Sequence, residues 1–296
     1  FLKTLSGLKL GVNFGTLVGH STVRRAIVGE DFRDLSETEL LKFKKVLSDS
    51  LKEGAFGLST GLGYAHVKRV PYKELKELAA LVGEAKGVYA THLRDEKEGI
   101  LPSIQETLKL TEETGVKTII SHFKPIIGYE KDYRKGVELL HRAARDLNIH
   151  FDIYPYAESV VPVYTLLPEW AKMGNLEIML SYLRNTDTRE RILEELAKIR
   201  GEDVRIAQAT SRDYLVGKTV KDFSENQGIS VPEAFLKLME LTGLRALIFY
   251  KNLDADLILQ NLERDQALIA SNGTSLAPGE KVLKHERFSN TFPKFI

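Results

Sequence analysis

VYATHLRDE (residues 88–96) and TIISHFKP (residues 118–125) decide how this chain reads. Each is a β-branched, apolar run reaching a histidine that is followed two positions later by a cation: His92 and Arg94 in the first, His122 and Lys124 in the second. Side chains alternate along a strand, so residues two apart share a face. Ala90, His92 and Arg94 are therefore expected on one face, with Tyr89, Thr91 and Leu93 on the other. Ile120, His122 and Lys124 are expected to align in the same way. A helical stretch lies between the two strands, so the pattern repeats one strand–helix unit later and sets two imidazoles side by side at one rim of a parallel sheet. Adjacent strands lie about 4.8 Å apart and zinc–nitrogen bonds are about 2.0–2.1 Å long. Both rings can then reach one metal ion.

The same rhythm extends outward. LGVNFGTLV, AFGLST and HFDIYP read as strands ending near His20, Thr60 and Asp152. The reference residues 20, 60, 92, 122 and 152 are spaced by 40, 32, 30 and 30. Amphipathic helices fill the gaps at SETELLKFKKVLSDSLKEG, PYKELKELAALVGEAKG, LPSIQETLKLTEETG and KGVELLHRAARDLN, and three of them end at a glycine, a common helix stop. Repeated units of this kind argue for parallel βα architecture. Both an open doubly wound sheet and a closed (β/α)8 barrel fit. No G-x-G-x-x-G turn follows a strand, which disfavours dinucleotide binding, while polar residues at successive strand ends favour the barrel. From about Thr165 to Asp265 the rhythm breaks into helices with two short strands, VRIAQAT and ALIFY. The expected division is barrel units over 1–164, a mostly helical insertion or lid over 165–265, and a last barrel strand with a following substrate loop over 266–296.

Composition narrows the function classes. The 296 residues carry 42 Lys plus Arg against 41 Asp plus Glu, which gives no electrostatic reason for a nucleic-acid or anionic-membrane partner. The apolar runs are too short to span a bilayer, and a cytoplasmic location is the expectation. The absence of cysteine excludes disulfides and thiolate ligands. The start at Phe1 and the end at Ile296, inside what reads as a loop, suggest a segment of a longer protein.

His92 and His122 are the expected metal ligands. Lys124 is expected to contact substrate and Arg94 to serve as scaffolding. Asp152, on one strand face with His150 and Tyr154, is expected to orient a ligand imidazole from outside the coordination sphere. His66, His141 and His150 read as ordinary structural histidines.

GHSTVR (19–24), GAFGLSTGLGYA (54–65), YATHLRDE (89–96), IISHFK (119–124), FDIYPY (151–156), LLPEWA (166–171) and ALIASNG (267–273) together resemble the N-acyl-D-amino-acid deacylases, or D-aminoacylases, of the amidohydrolase superfamily. The resemblance implies a metal-dependent (β/α)8 barrel, here incomplete at its N-terminus, that hydrolyses an N-acyl-D-amino acid with one or two zinc ions. It implies that His92 and His122 hold the tightly bound zinc, that Lys124 and Tyr154 lie near a small N-acyl amino acid substrate, and that Arg287, in HERFSNTFPK (285–294), meets the substrate carboxylate. Three departures accompany it. The family's H-x-H pair and bridging cysteine are absent from this chain, and Asn272 stands where the family's SDG motif has its proton-transferring aspartate. An amide cannot act as a general base near pH 7. The segment alone is therefore expected to be inactive or impaired. The competing reading is a non-catalytic barrel that binds a carboxylate ligand. Oligomeric state is left open.

Overall fold

The computed structural model describes residues 2–29, 31, 33–64, 66–274 and 282–295. Ala65 of the GLGYA stretch, and residues 275–281 and 296 of the expected last segment, lie outside the described residues. The chain forms two compact units: Phe1–Ile153 with Glu263–Leu268, and Tyr154–Leu262 with Ile269–Ile296.

The first unit is α/β. Strands β1 (Val18–Gly19), β2 (Gly57–Gly61), β3 (Val88–His92), β4 (Lys117–Ile120) and β5 (Ile149–Ile153) follow one another across the sheet in chain order, every adjacent pair parallel. Helices Glu37–Lys52, Tyr72–Glu84, Ile100–Thr114 and Glu130–Ala143 fill the crossovers. Their starts and stops are written locally. Ser36 accepts from the Glu39 N–H at 3.3 Å while Glu39 accepts from the Ser36 N–H at 2.8 Å, a capping box that satisfies two end donors at once. Gly115 closes the third of these helices with φ +64°, which glycine adopts without a Cβ penalty. The apolar stripes bury Phe43, Leu47, Leu75, Leu78 and Val82 against Leu58 and Tyr89 of β2 and β3. Tyr89, Thr91 and Leu93 are all buried, as the helix-facing side of the strand requires.

Two strand readings change. LGVNFGTLV supplies only Val18–Gly19, which among the described residues pairs with β2 alone; Leu10, Val12 and Phe14 are exposed, and His20 already opens the helix His20–Val28. β4 ends at Ile120, so His122 and Lys124 lie beyond it rather than in strand alternation.

The second unit contains an antiparallel sheet ordered β6 (Glu158–Pro162), β8 (Leu247–Lys251), β7 (Val204–Gln208). Helix Val231–Leu241 packs on Thr186–Leu196 and Val220–Gln227 and buries Phe235, Leu236 and Met239. Capping boxes at Thr219/Asp222 and Ser230/Glu233 start two of these helices. The final strand, β9 (Ala267–Ile269), stands next to β5 in the larger sheet. No helix among the described residues is long and apolar enough to cross a membrane.

Candidate metal centre

β3 delivers His92 as its last residue, opposite Gly61 of β2. The chain then leaves the strand, and Glu96 returns to the same spot. One period later β4 ends and Ser121 donates its N–H to the Thr91 carbonyl at 2.8 Å. The next residue, His122, turns left-handed with φ +41°. That turn is clamped from β5: the Asp152 carboxylate accepts the His122 N–H at 2.7 Å, and the Asp152 carbonyl accepts the Phe123 N–H at 2.8 Å. Asp152 thus holds the main chain at His122 and Phe123.

The result is convergence. His92 Nδ1 and His122 Nε2 lie 3.0 Å apart. Glu96 Oε2 lies 3.8 Å from His92 Nε2, and Glu96 Oε1 lies 3.5 Å from His122 Nδ1. Donor atoms of His92, Glu96 and His122 all fall within 4.8 Å of one another. Lys124 Nζ sits 3.0 Å from Glu96 Oε2. Tyr64 stacks on the His92 ring at 5.3 Å and 20°. Gly63 lies so close to that ring that a Cβ there would be 2.4 Å from His92 Nε2.

Electrostatics keep the imidazole of His92 neutral and Glu96 charged. Burial pushes the His92 pKa down to about 3, with His122 and Lys124 adding to burial and Glu96 opposing it. Burial alone would raise the Glu96 carboxyl, but the Lys124 ammonium and then the two histidines hold it well below the ordinary carboxylate value. Burial raises the Asp152 carboxyl against the His122 N–H bond.

These residues fit a divalent metal. Imidazole nitrogen and carboxylate oxygen are zinc donors, and two histidines with one glutamate form a known catalytic set. His122 Nδ1 is buried without a hydrogen-bond partner, as a nitrogen reserved for a metal would be.

The other expected residues fall elsewhere. Arg94 forks onto Glu106 at 2.9 and 3.0 Å and donates to the Lys68 and Val70 carbonyls, a scaffolding role. In the second unit the Arg287 guanidinium lies 5.0 Å over the Tyr154 ring, and both side chains are buried. Asn272 belongs to the same unit, is exposed, and has φ +44°. Strand alternation gives no signal for Glu96 or Gly63, both of which lie outside the strands. Glu96 was legible as an acid within THLRDE, four residues beyond a proposed ligand.

No family model matches the chain. Among curated proteins it is 32% identical over 160 residues to N-acyl-D-aspartate deacylase of Alcaligenes xylosoxydans xylosoxydans, and 31% identical over 160 residues to D-aminoacylase of the same organism. Each match covers 53% of this chain and 32% of the relative, so the chain aligns with about a third of those proteins. Among solved structures, N-acyl-D-glutamate deacylase from Bordetella bronchiseptica, complexed with zinc and a phosphonate inhibitor, shares the fold with TM-score 0.75 at 23% identity, over 92% of this chain and 50% of that one. A D-aminoacylase described by its binuclear metal centre gives TM-score 0.76 at 24% identity, over 99% and 54%. The chain is thus similar in sequence, over about half of its own length, to two deacylases of this kind, and it shares a fold with solved structures of such enzymes.

Proposed function

We propose that this chain carries the metal-binding part of a hydrolase that cleaves N-acyl-D-amino acids into a D-amino acid and a carboxylate. Its parallel strands would form part of a (β/α)8 barrel. The observation that carries the reading is the approach of His92 and His122 to 3.0 Å, with Glu96 facing both rings. His92 and His122 would hold zinc, as one or two ions. Such an ion supplies polarisation of the scissile carbonyl and a water of lowered pKa. Asp152 keeps His122 in place by holding its main chain. Lys124 is a candidate to meet an anionic group of the substrate. In the second unit Arg287, over Tyr154, is the candidate partner of the substrate carboxylate. Asn272 offers no proton-accepting group, so we propose that turnover by this chain is impaired.

Asn272 also favours a second reading, a barrel that binds N-acyl amino acids without cleaving them. One experiment separates the two. The full-length protein, zinc-loaded, is assayed on N-acetyl-D-amino acids with Asn272 and after Asn272→Asp. Restored general-base chemistry is expected to raise turnover about 10²–10⁴-fold. Zero turnover in both folded, zinc-loaded forms, together with a thermal shift on adding the same compounds, would select the binder.

A further inference from the structure

Phe249 pairs with both Val160 and Arg205 in the antiparallel sheet of the second unit, so strand alternation sets Glu158, Phe249 and Arg205 on one face. The segment 283–286 packs against that face, tied there by the Leu283 N–H, which donates to the Ala207 carbonyl at 2.8 Å. Between them, with Tyr156, lies a cavity of about 310 Å³. That is the lower end of the range of about 300–1,000 Å³ for small-molecule pockets. His285 lines it, is 4% exposed, and has its Nε2 buried with no hydrogen-bond partner. The other ring nitrogen fixes the state of this one. Nδ1 accepts the Arg287 N–H at 3.0 Å and so carries no proton, which leaves the proton of the neutral ring on Nε2. Burial, then Arg287 and Arg205, lowers the His285 pKa to about 4, so the ring is neutral near pH 7. Nε2 is therefore a donor without an acceptor, and a protonated nitrogen is no metal ligand.

Glu158 comes near without completing the contact. Its Oε2 stands 3.6 Å from His285 Nε2 and its Oε1 3.5 Å from an Arg205 nitrogen. Both distances exceed the usual span of about 2.7–3.2 Å for an N–H···O bond. Arg205 and Lys284 bring two cations to the lining, and Glu158 and Glu286 bring two carboxylates, so its formal charges cancel. The Phe249 ring forms an apolar wall, with the Arg205 guanidinium 5.9 Å from its centre. Charges of both signs, an imidazole N–H in want of an acceptor and an aromatic wall match a small zwitterion with an apolar substituent. We propose that this cavity binds a free α-amino acid with an apolar side chain. The amino acid's carboxylate accepts from His285 Nε2 and faces Arg205, its ammonium faces Glu158, and its side chain lies against Phe249. The Arg287 guanidinium lies over the Tyr154 and Phe288 rings and is not among the described groups lining the cavity. The guanidinium offered here is thus that of Arg205, not the one proposed to meet a substrate. All of these residues belong to the second unit, so the site stands whether or not His92 and His122 hold zinc.

Isothermal titration calorimetry of the full-length protein with D- and L-leucine tests this. At least one enantiomer is expected to bind. Two analogues lack one charged group each: 4-methylpentanoate has no ammonium and 3-methylbutylamine no carboxylate. Each is expected to bind about 10–100-fold more weakly, the worth of a hydrogen bond to a charged group. Glutamate and lysine, which bring one charge too many, are expected to bind more weakly than leucine. Arg205→Met, at a side chain that is 44% exposed, and Glu158→Gln are each expected to weaken leucine binding about 10–100-fold. No binding of either enantiomer at millimolar concentration overturns the inference. So do analogues that bind as tightly as leucine, and so does leucine affinity within about threefold of the parent in both folded variants. Should Glu158→Gln fail to fold by circular dichroism, Arg205→Met and the ligand series on the parent decide.

Discussion

The carboxylate of Asp152 accepts the backbone N–H of His122 at 2.7 Å, so a residue of one strand fixes the main chain beyond the end of its neighbour. His122 has φ +41°, a conformation that costs an L-residue about 1–2 kcal/mol. Asp152→Ala is expected to destabilise the protein by about 1–3 kcal/mol in urea unfolding. It is also expected to weaken zinc binding about 10–100-fold, in the manner of lost outer supports. Asp152→Asn keeps an acceptor oxygen and should recover most of both. Parental zinc affinity in Asp152→Ala would show that the turn is held without this bond.

Gly63 makes room for the His92 ring. A methyl group there would sit 2.4 Å from His92 Nε2 and 3.1 Å from the Leu93 carbonyl. Gly63→Ala must displace the imidazole or the loop beneath it. The expected outcome is a loss of zinc affinity of about tenfold or more, with a stability cost of only about 1–3 kcal/mol for the overpacking. Chelator competition and thermal unfolding on the same sample separate the two effects.

The helix His20–Val28 is tied to the helix Tyr72–Glu84 by a buried ionic cluster. Glu74 Oε1 lies 2.8 Å from His20 Nε2 and 3.2 Å from Arg24 Nε, and all three side chains are buried. Removing the shared carboxylate strands a buried guanidinium. Glu74→Ala is expected to cost about 3–5 kcal/mol by chemical denaturation. A loss below about 1 kcal/mol would show that Arg24 finds another partner or water.

In the second unit His285 gives a pH signature. Its Nδ1 accepts the Arg287 N–H at 3.0 Å, and its ring packs edge-on against Tyr156 and Phe249. Burial first, then the positive charges of Arg287 and Arg205, lower its pKa to about 4; Glu158 stands 3.6 Å from Nε2. The folded state therefore refuses a proton that the unfolded chain takes up below about 6.5. Stability from this residue is complete above pH 6.5 and falls as the pH drops toward 4, by up to about 1.4 kcal/mol per unit. His92, lowered to about 3, pulls in the same direction. Urea midpoints between pH 4 and 7.5 should show a slope smaller by one proton in His285→Gln. Identical slopes would mean that His285 stays protonated in the fold.

What the sequence revealed was whatever is encoded locally. Ser36 and Glu39 mark a helix start and Gly115 marks a helix stop with no help from the rest of the chain. The period of β2 to β5 follows from the recurring strand–helix spacing, but His122 meets His92 from beyond the end of β4, where strand alternation no longer holds. The left-handed turn at His122 was hidden because its clamp, Asp152, comes from the next strand. Glu96 reads in the sequence as one more charge in a loop, since strand alternation says nothing about a chain that has already left the strand. VRIAQAT and ALIFY read as strands, but their partner at 158–162 did not, because antiparallel pairing over such separations leaves no periodic mark.

The chain-order succession of strands bears on how the protein is made. His92, Glu96, His122 and Asp152 come from consecutive strand–helix units, so no distant stretch must be awaited to bring them together. Translation proceeds from the N-terminus, and neighbours in sequence close their loops at the least entropic cost. A ribosome that has released residue 152 has already presented His92, Glu96, His122 and their clamp, so this cluster can assemble while the rest of the polypeptide is still being synthesised.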